Sequence, residues 1–309
     1  MVKRFPAWVW LCWMLVATGW ALASEPISFV KQARSLEIKA GEQAIATYGF
    51  ADADVPRPYF ANVKASFGIQ LTRNHPPQTS DKQDHPHHTG LFFSFGDVNG
   101  IDYWHMKGTC KHDSFLQEPR LADDGALIFQ VRNVYQSEDG SPLMWEDVSH
   151  RIVSTKNGHR NEFDIILKAE QDVKIGSKEE GGLAMRVASG LAVDAKQGGR
   201  MEDSEGRVNG DEIWGQQADW VLYKGFIDGY DSGILLMAHP ENPHRPWWHA
   251  RDYGLVASHP FGPLNDKSAG KHLKAGESVR LRYAVQVYAK RTRDLFLPQG
   301  AFQDYFQAK

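Results

Sequence analysis

Short runs in which apolar and polar side chains alternate, each closed by a turn dipeptide, recur from Ile27 to about Tyr288. Successive side chains of a strand point to opposite faces, so this period of two builds sheets with one buried side and leaves no room for long amphipathic helices. "GALIFQVRNVY" places Leu127, Phe129 and Val131 on one face, between Asp124-Gly125 and Asp139-Gly140. "HRIVSTKNGHRNEFDIILKAE" reads as two strands turning at Asn157-Gly158, with Phe163, Ile165 and Leu167 on the buried face of the second. "SGILLMA" at 232–238 and "SVRLRYAVQVYA" at 278–289 continue the pattern, the latter burying Val279, Leu281, Tyr283, Val285 and Val287. Only the last segment, "AFQDYFQAK", sets Phe302, Tyr305 and Phe306 at helical spacing after Pro298, which predicts a helix over a sheet edge. The expected fold is all-β, a large antiparallel two-sheet β-sandwich with few short helices.

The first residues read differently. Lys3 and Arg4 precede an apolar run from Ala7 to Trp20 and then Ala21-Leu22-Ala23, which predicts a signal peptide over 1–23, with a single sandwich domain over 24–309. The run is shorter than a membrane-spanning helix, so a periplasmic or secreted protein with no membrane contact after cleavage is expected. Removal of the leader takes Cys12 and leaves Cys110 alone, so the mature chain has no internal disulfide. It also leaves 33 basic against 38 acidic side chains, a net charge of -5 without basic clusters, which argues against a nucleic-acid partner. Nothing in the sequence fixes the oligomeric state.

Two long irregular segments, Arg73 to Thr89 and Pro240 to Arg251, interrupt the strands, and loops of that length commonly serve a site. Six of the 13 histidines lie between His75 and His112, and four more between His239 and His259. Two clusters of the side chain best suited to proton transfer near neutral pH predict one shared cleft. His85, His87, His88 and His249 are candidate acids and bases. Arg57, Arg186 and Arg251 could neutralise a carboxylate or oxyanion, and Asp97 or Asp102 could orient an imidazole. "GDVNGID" reads equally as a turn in which Asp97 and Asn99 bond their own backbone. With 85–88 extended, His85 and His87 would share a side and could hold a metal ion with Asp84, Asp97 or His249; no cofactor is required by the sequence. Among the six tryptophans after the leader, Trp104, Trp247 and Trp248 are those expected near a ligand.

"RPYFANVKASFGIQLTRNHPP", "DHPHHTGLFFSFGDVNGIDYW", "GGLAMRVASGL" and "HPENPHRPWWHARDYGLVASHPFG", in that order, resemble a bacterial family of unknown function labelled methane oxygenase PmoA-like. The most specific part is Asp84, His85, Pro86, His88 and Gly90, followed by "GDVNG" and Trp104. The oxygenase behind that label is an integral membrane subunit, and its activity does not carry over to a chain without a spanning segment. What the resemblance implies is a secreted sandwich like those of galactose mutarotases and polysaccharide lyases, acting on carbohydrate.

The expected function is therefore a carbohydrate-active protein, an enzyme working on a sugar or oligosaccharide by histidine-based hydrolysis, elimination or epimerisation. His88 and His249 are expected to transfer protons, with His85 and Asp97 orienting them and Arg186 and Arg251 stabilising charge. Trp104 and Trp248 would form the sugar platform, with Asn99, Arg57 and Tyr253 as further substrate contacts. No Glu/Glu pair stands at readable spacing for two-carboxylate hydrolysis, and Glu146 is the one carboxylate to test for it. A non-catalytic carbohydrate-binding protein and a metal-dependent hydrolase or oxidoreductase are the alternatives.

Overall fold

The computed structural model describes residues 25–291 and 295–307; the expected signal peptide lies outside the described residues. Two eight-stranded antiparallel sheets carry the chain. Sheet A runs, in spatial order, β1 (Ile27–Lys31), β2 (Ser35–Ala40), β3 (Gln43–Gly49), β4 (Tyr59–Ala61), β5 (Leu91–Phe95), β11 (Gly181–Arg186), β16 (Leu255–His259) and β15 (Trp247–Arg251). Sheet B runs β12 (Arg200–Asp203), β13 (Trp220–Ile227), β14 (Tyr230–Ala238), β18 (Ser278–Lys290), β9 (Gly158–Ala169), β8 (Pro142–Thr155), β7 (Leu127–Gln136) and β6 (Cys110–Leu121). A small ribbon pairs β10 (Val173–Ile175) with β17 (Lys271–Leu273). The fold is an all-β sandwich, as the alternation requires.

One core fills the space between the sheets. Leu91, Phe93, Leu183, Met185 and Val256 of sheet A meet Leu127, Phe129, Val131, Ile165, Leu281 and Val285 of sheet B. Burying such a side chain contributes about 1.5–3 kcal/mol each. Every position read from the sequence as inward on β7, β9 and β18 is buried. Among the described residues the α-helices are α1 (Asn209–Ile213) and α2 (Pro298–Gln307). Pro298 opens α2 rather than preceding it, since its missing N–H is unneeded in a first turn. Phe302 and Tyr305 pack with Trp220, Leu222, Leu235, Met237 and Tyr288, so the helix covers the outer face of sheet B and not an edge.

The second irregular segment is shorter than expected: its last five residues form β15, antiparallel to β16, and His249 therefore stands on a strand. Residues paired across a sheet share a face, and the register Phe92↔Ala184↔Ala257↔His249 crosses sheet A on the side away from the core. Arg186 and Arg251 fall on this outer face by the period of two. Trp248 falls on the other.

Candidate functional site

The outer face of β5, β11, β16 and β15 has a floor of small side chains, Ala184 and Ala257, beside Phe92. The Arg73–Thr89 segment folds over this floor, and buried Arg73 fixes its path. Its Nη1 donates to Asp84 O at 2.6 Å and Asp84 Oδ1 at 2.9 Å, and its Nη2 to His85 O at 2.8 Å and His88 O at 3.0 Å. Arg57 performs the same service next door. It donates to Tyr103 O at 3.2 Å, Trp104 O at 2.6 Å and His87 O, with Phe92 beneath its guanidinium at 4.0 Å. It joins two loops and is 3 % exposed, so it is no substrate contact; burial lowers its pKa to about 10.

Residues 85–88 are not extended. His85 has φ 42° and its carbonyl accepts from His88 N at 3.0 Å, so the backbone turns here, held by the arginine contacts despite Pro86. The turn lays the His85 ring parallel to His88 at 5.0 Å and to Tyr253 at 4.6 Å, with His87 edge-on to His88 at 4.3 Å. His85 and His87 therefore do not share one side of an extended strand; their rings stand edge-on at 5.8 Å. Among the described residues no three His, Cys, Asp or Glu side chains are placed to hold a metal ion.

The two histidine clusters do converge. The ring centroids of His88 and His249 lie 5.9 and 6.4 Å from that of Trp104, hence no more than about 12 Å apart. Each imidazole is bonded to an arginine. Arg186 Nη1 lies 3.2 Å from His88 Nδ1, and Arg251 Nε donates to His249 Nε2 at 3.0 Å. Guanidinium has only donors, so these nitrogens must be the lone-pair nitrogens of neutral rings, and the proton sits on His88 Nε2 and His249 Nδ1. Burial, then neighbouring His87 and Arg186, holds His88 well below the usual histidine range; burial pushes His249 down to about 4 against the pull of Glu179. Neutral rings with their lone pairs occupied are hydrogen-bond donors. The expected proton-transferring pair is not poised for that work, because the expected charge stabilisers take up the lone pairs of rings that burial keeps neutral.

A different imidazole is poised. His105 Nδ1 lies 3.0 Å from Asp102 Oδ2 and 3.2 Å from Oδ1, so the carboxylate sets the tautomer and leaves the lone pair on Nε2. The ring is more than a third exposed and leans on His87 at 4.5 Å. Asp102 thus orients an imidazole, as the sequence suggested; His105 itself was missed, although the "DYWH" spacing could have shown it. Glu179 and Glu180 were missed too. Arg251 Nη2 donates to Glu179 at 2.7 and 2.8 Å, and Trp214 Nε1 donates at 3.1 Å. Burial alone would raise the Glu179 pKa, but the adjacent His249 and the Arg251 bonds lower it by more. Glu180 goes the opposite way: burial, then the Glu179 charge, raises its carboxyl, and His105 and Asp102 both lie close enough to act on it. One oriented base and one carboxyl held toward its acid form are the materials of general acid–base chemistry.

Asp84 closes the other side, accepting from buried Arg186 Nη2 at 2.6 Å and from Arg73, with its Oδ2 3.3 Å from His85 Nδ1. Burial works against its ionisation, and Arg186, then His85, outweigh that. Other expected residues sit elsewhere. Asp97 Oδ1 accepts from Gly100 N at 2.9 Å, and Asn99 bonds Asp172 O and Lys174 N at 3.0 and 2.7 Å, so both build a turn against β10 and orient no imidazole. Trp248 is wholly buried and donates to Ala218 O at 3.0 Å; Trp104 is 1 % exposed beneath His88 and Phe92. Neither offers a free ring, because each fills core space. Glu146 lies between the sheets, bonded to Asn133 Nδ2 at 2.8 Å and Tyr135 Oη at 3.0 Å, remote from this face.

The family model for a family of unknown function, DUF6807, matches residues 35–295. The chain belongs to this family. The match spans sheet B, sheet A from β2 onward and every residue of this site; nothing in the comparisons supports the methane-oxygenase label. No curated protein matches this DUF6807 member. Among solved structures it is similar to a protein described as a kojibiose phosphorylase from the human microbiome (9 % identity, TM-score 0.40) over 92 % of this chain and 33 % of that one. It is also similar to an α-galactosidase from Lactobacillus brevis (8 %, 0.42) over 86 % of this chain and 39 % of that one. The chain thus spans well under half the length of these two. A galactose mutarotase-like protein from Clostridium acetobutylicum (10 %, 0.39) is matched over 87 % of this chain and 99 % of that one. Likeness of this degree carries no activity across.

Proposed function

We propose that this face binds a sugar and transforms it by proton transfer, with His105 as the base oriented by Asp102 and Glu180 as the acid. The observation that carries the reading is the Asp102–His105 pair at 3.0 Å, whose imidazole leans on His87 at 4.5 Å beside His88. The His85 ring, partly exposed and stacked on Tyr253 at 4.6 Å, offers its other face to the C–H face of a pyranose. Hydrolysis, elimination and epimerisation all use such a set, and the products distinguish them.

A screen of oligosaccharides with product detection by mass spectrometry and NMR tests this. On the active substrate, His105→Asn and Glu180→Gln each lower turnover about 10² to 10⁴-fold. Unchanged turnover in both variants removes the assignment. Binding without any product in the wild type favours a carbohydrate-binding protein.

A further inference from the structure

Toward the β1 edge of the same outer face lies a cleft of about 450 Å³ that the proton-transfer residues do not touch. This is within the size range of small-molecule sites, roughly 300–1,000 Å³. Thr47, Asn62 and Lys64 line it from the sheet side, and Gln70, Asn74 and Gln78 from the loops. Two of the carboxamides are braced from behind. Gln70 Nε2 donates to Thr72 O at 2.8 Å and Asn74 Nδ2 to Asp81 Oδ2 at 2.9 Å, which turns each carboxamide oxygen into a fixed acceptor.

The cleft and the histidine face lie on the same side of sheet A, with Tyr59 and Phe92, both buried, between them. The register Ser35↔Gly49↔Tyr59↔Phe92↔Ala184↔Ala257↔His249 runs unbroken across sheet A. From Phe92, which stacks on His88 at 5.9 Å, it reaches Ser35 at the cleft in three strand spacings. At about 4.8 Å per spacing, that is a distance of about 14 Å. The segment after Arg73 walls both parts, with Asn74 and Gln78 at the cleft and Asp84 and His85 at the histidines. Asp81 Oδ2 ties the two cleft residues together through Asn74 Nδ2 and Gln78 N, at 2.9 Å each.

We infer that the cleft binds the distal units of a neutral oligosaccharide whose reacting unit lies on the histidine face. The inference rests on the sugar reading above. Carboxamides and hydroxyls match sugar hydroxyls, each of which donates and accepts. The lining contains neither an aromatic ring for a base or lipid nor an arginine for a phosphate, and its charged residues are Glu37 and Lys64.

Isothermal titration of the full chain with maltohexaose, cellohexaose, xylohexaose and mannohexaose, each beside its monosaccharide, tests this. The wild type binds one hexasaccharide more tightly than its monosaccharide. Lys64→Ala with Gln78→Ala, and separately Thr47→Trp, which fills the cleft, each weaken that hexasaccharide about tenfold and leave the monosaccharide unchanged. Unaltered hexasaccharide affinity in both folded variants overturns the cleft assignment and leaves the histidine face standing. Failure of the wild type to bind any of these sugars overturns both.

Discussion

At the scale of single residues, charge placement decides which histidines can react. His88 and His249 carry the sequence features of acid–base residues, yet each meets an arginine that occupies its lone pair, whereas His105 meets a carboxylate. Composition names imidazoles; only the partner of each ring nitrogen tells base from donor. Asp84→Asn illustrates the cost of the arrangement, since it leaves Arg73 and Arg186, both almost wholly buried, without their shared counter-charge. Chemical denaturation is expected to show a loss of about 3 kcal/mol. Trp248→Ala is expected to cost a similar amount through the core cavity alone, with sugar affinity per folded molecule unaltered.

At the scale of elements, the period of two fixed more than the sandwich. Once β15 is recognised as a strand, the alternation Trp248, His249, Ala250, Arg251 sends the imidazole outward and the indole inward, which a loop reading of the same residues could not show. The turn at 85–88 was illegible for a different reason: its left-handed residue is held by guanidinium bonds from Arg73, more than ten positions away. The strands were legible because their pattern is local; the site was legible only in part because its geometry is made by long-range contacts. Gly90 marks the joint between this turn and β5. It has φ 117°, a Cβ there would stand 2.2 Å from Phe60 O, and its carbonyl accepts from Arg186 N at 2.8 Å. Gly90→Ala is expected to cost at least about 2 to 3 kcal/mol and to impair turnover beyond the loss of folded protein. Thermal unfolding and kinetics on the folded fraction measure the two effects.

At the scale of the whole molecule, burial of titratable groups sets how stability follows pH. Nine histidines are held below their ordinary range, burial first among the causes, with His159 at about 4 and His150 at about 3. Below about pH 6.5 the unfolded chain takes up these protons before the folded one does, so stability is present above that pH and lost as pH falls toward the folded values. Glu146 acts in the other direction. Burial raises it to about 7, so its neutral form stabilises the fold below the unfolded value of about 4.5, and that contribution is lost as pH rises through 7. Glu146→Gln is expected to raise stability at pH 8 by up to about 3 kcal/mol and to leave it little changed at pH 4, in denaturation curves taken across that range.

The same thirteen histidines report on where a substrate binds, since they are spread over both sheets and the loops. The most direct measurement is ¹H–¹³C NMR of the imidazole rings during titration with the sugar found by screening. Binding on the outer face of sheet A shifts His85 and His105 and leaves His150 and His159, enclosed between the sheets, where they were. Shifts confined to His244 or His272, with His85 and His105 unmoved at saturation, would contradict the account.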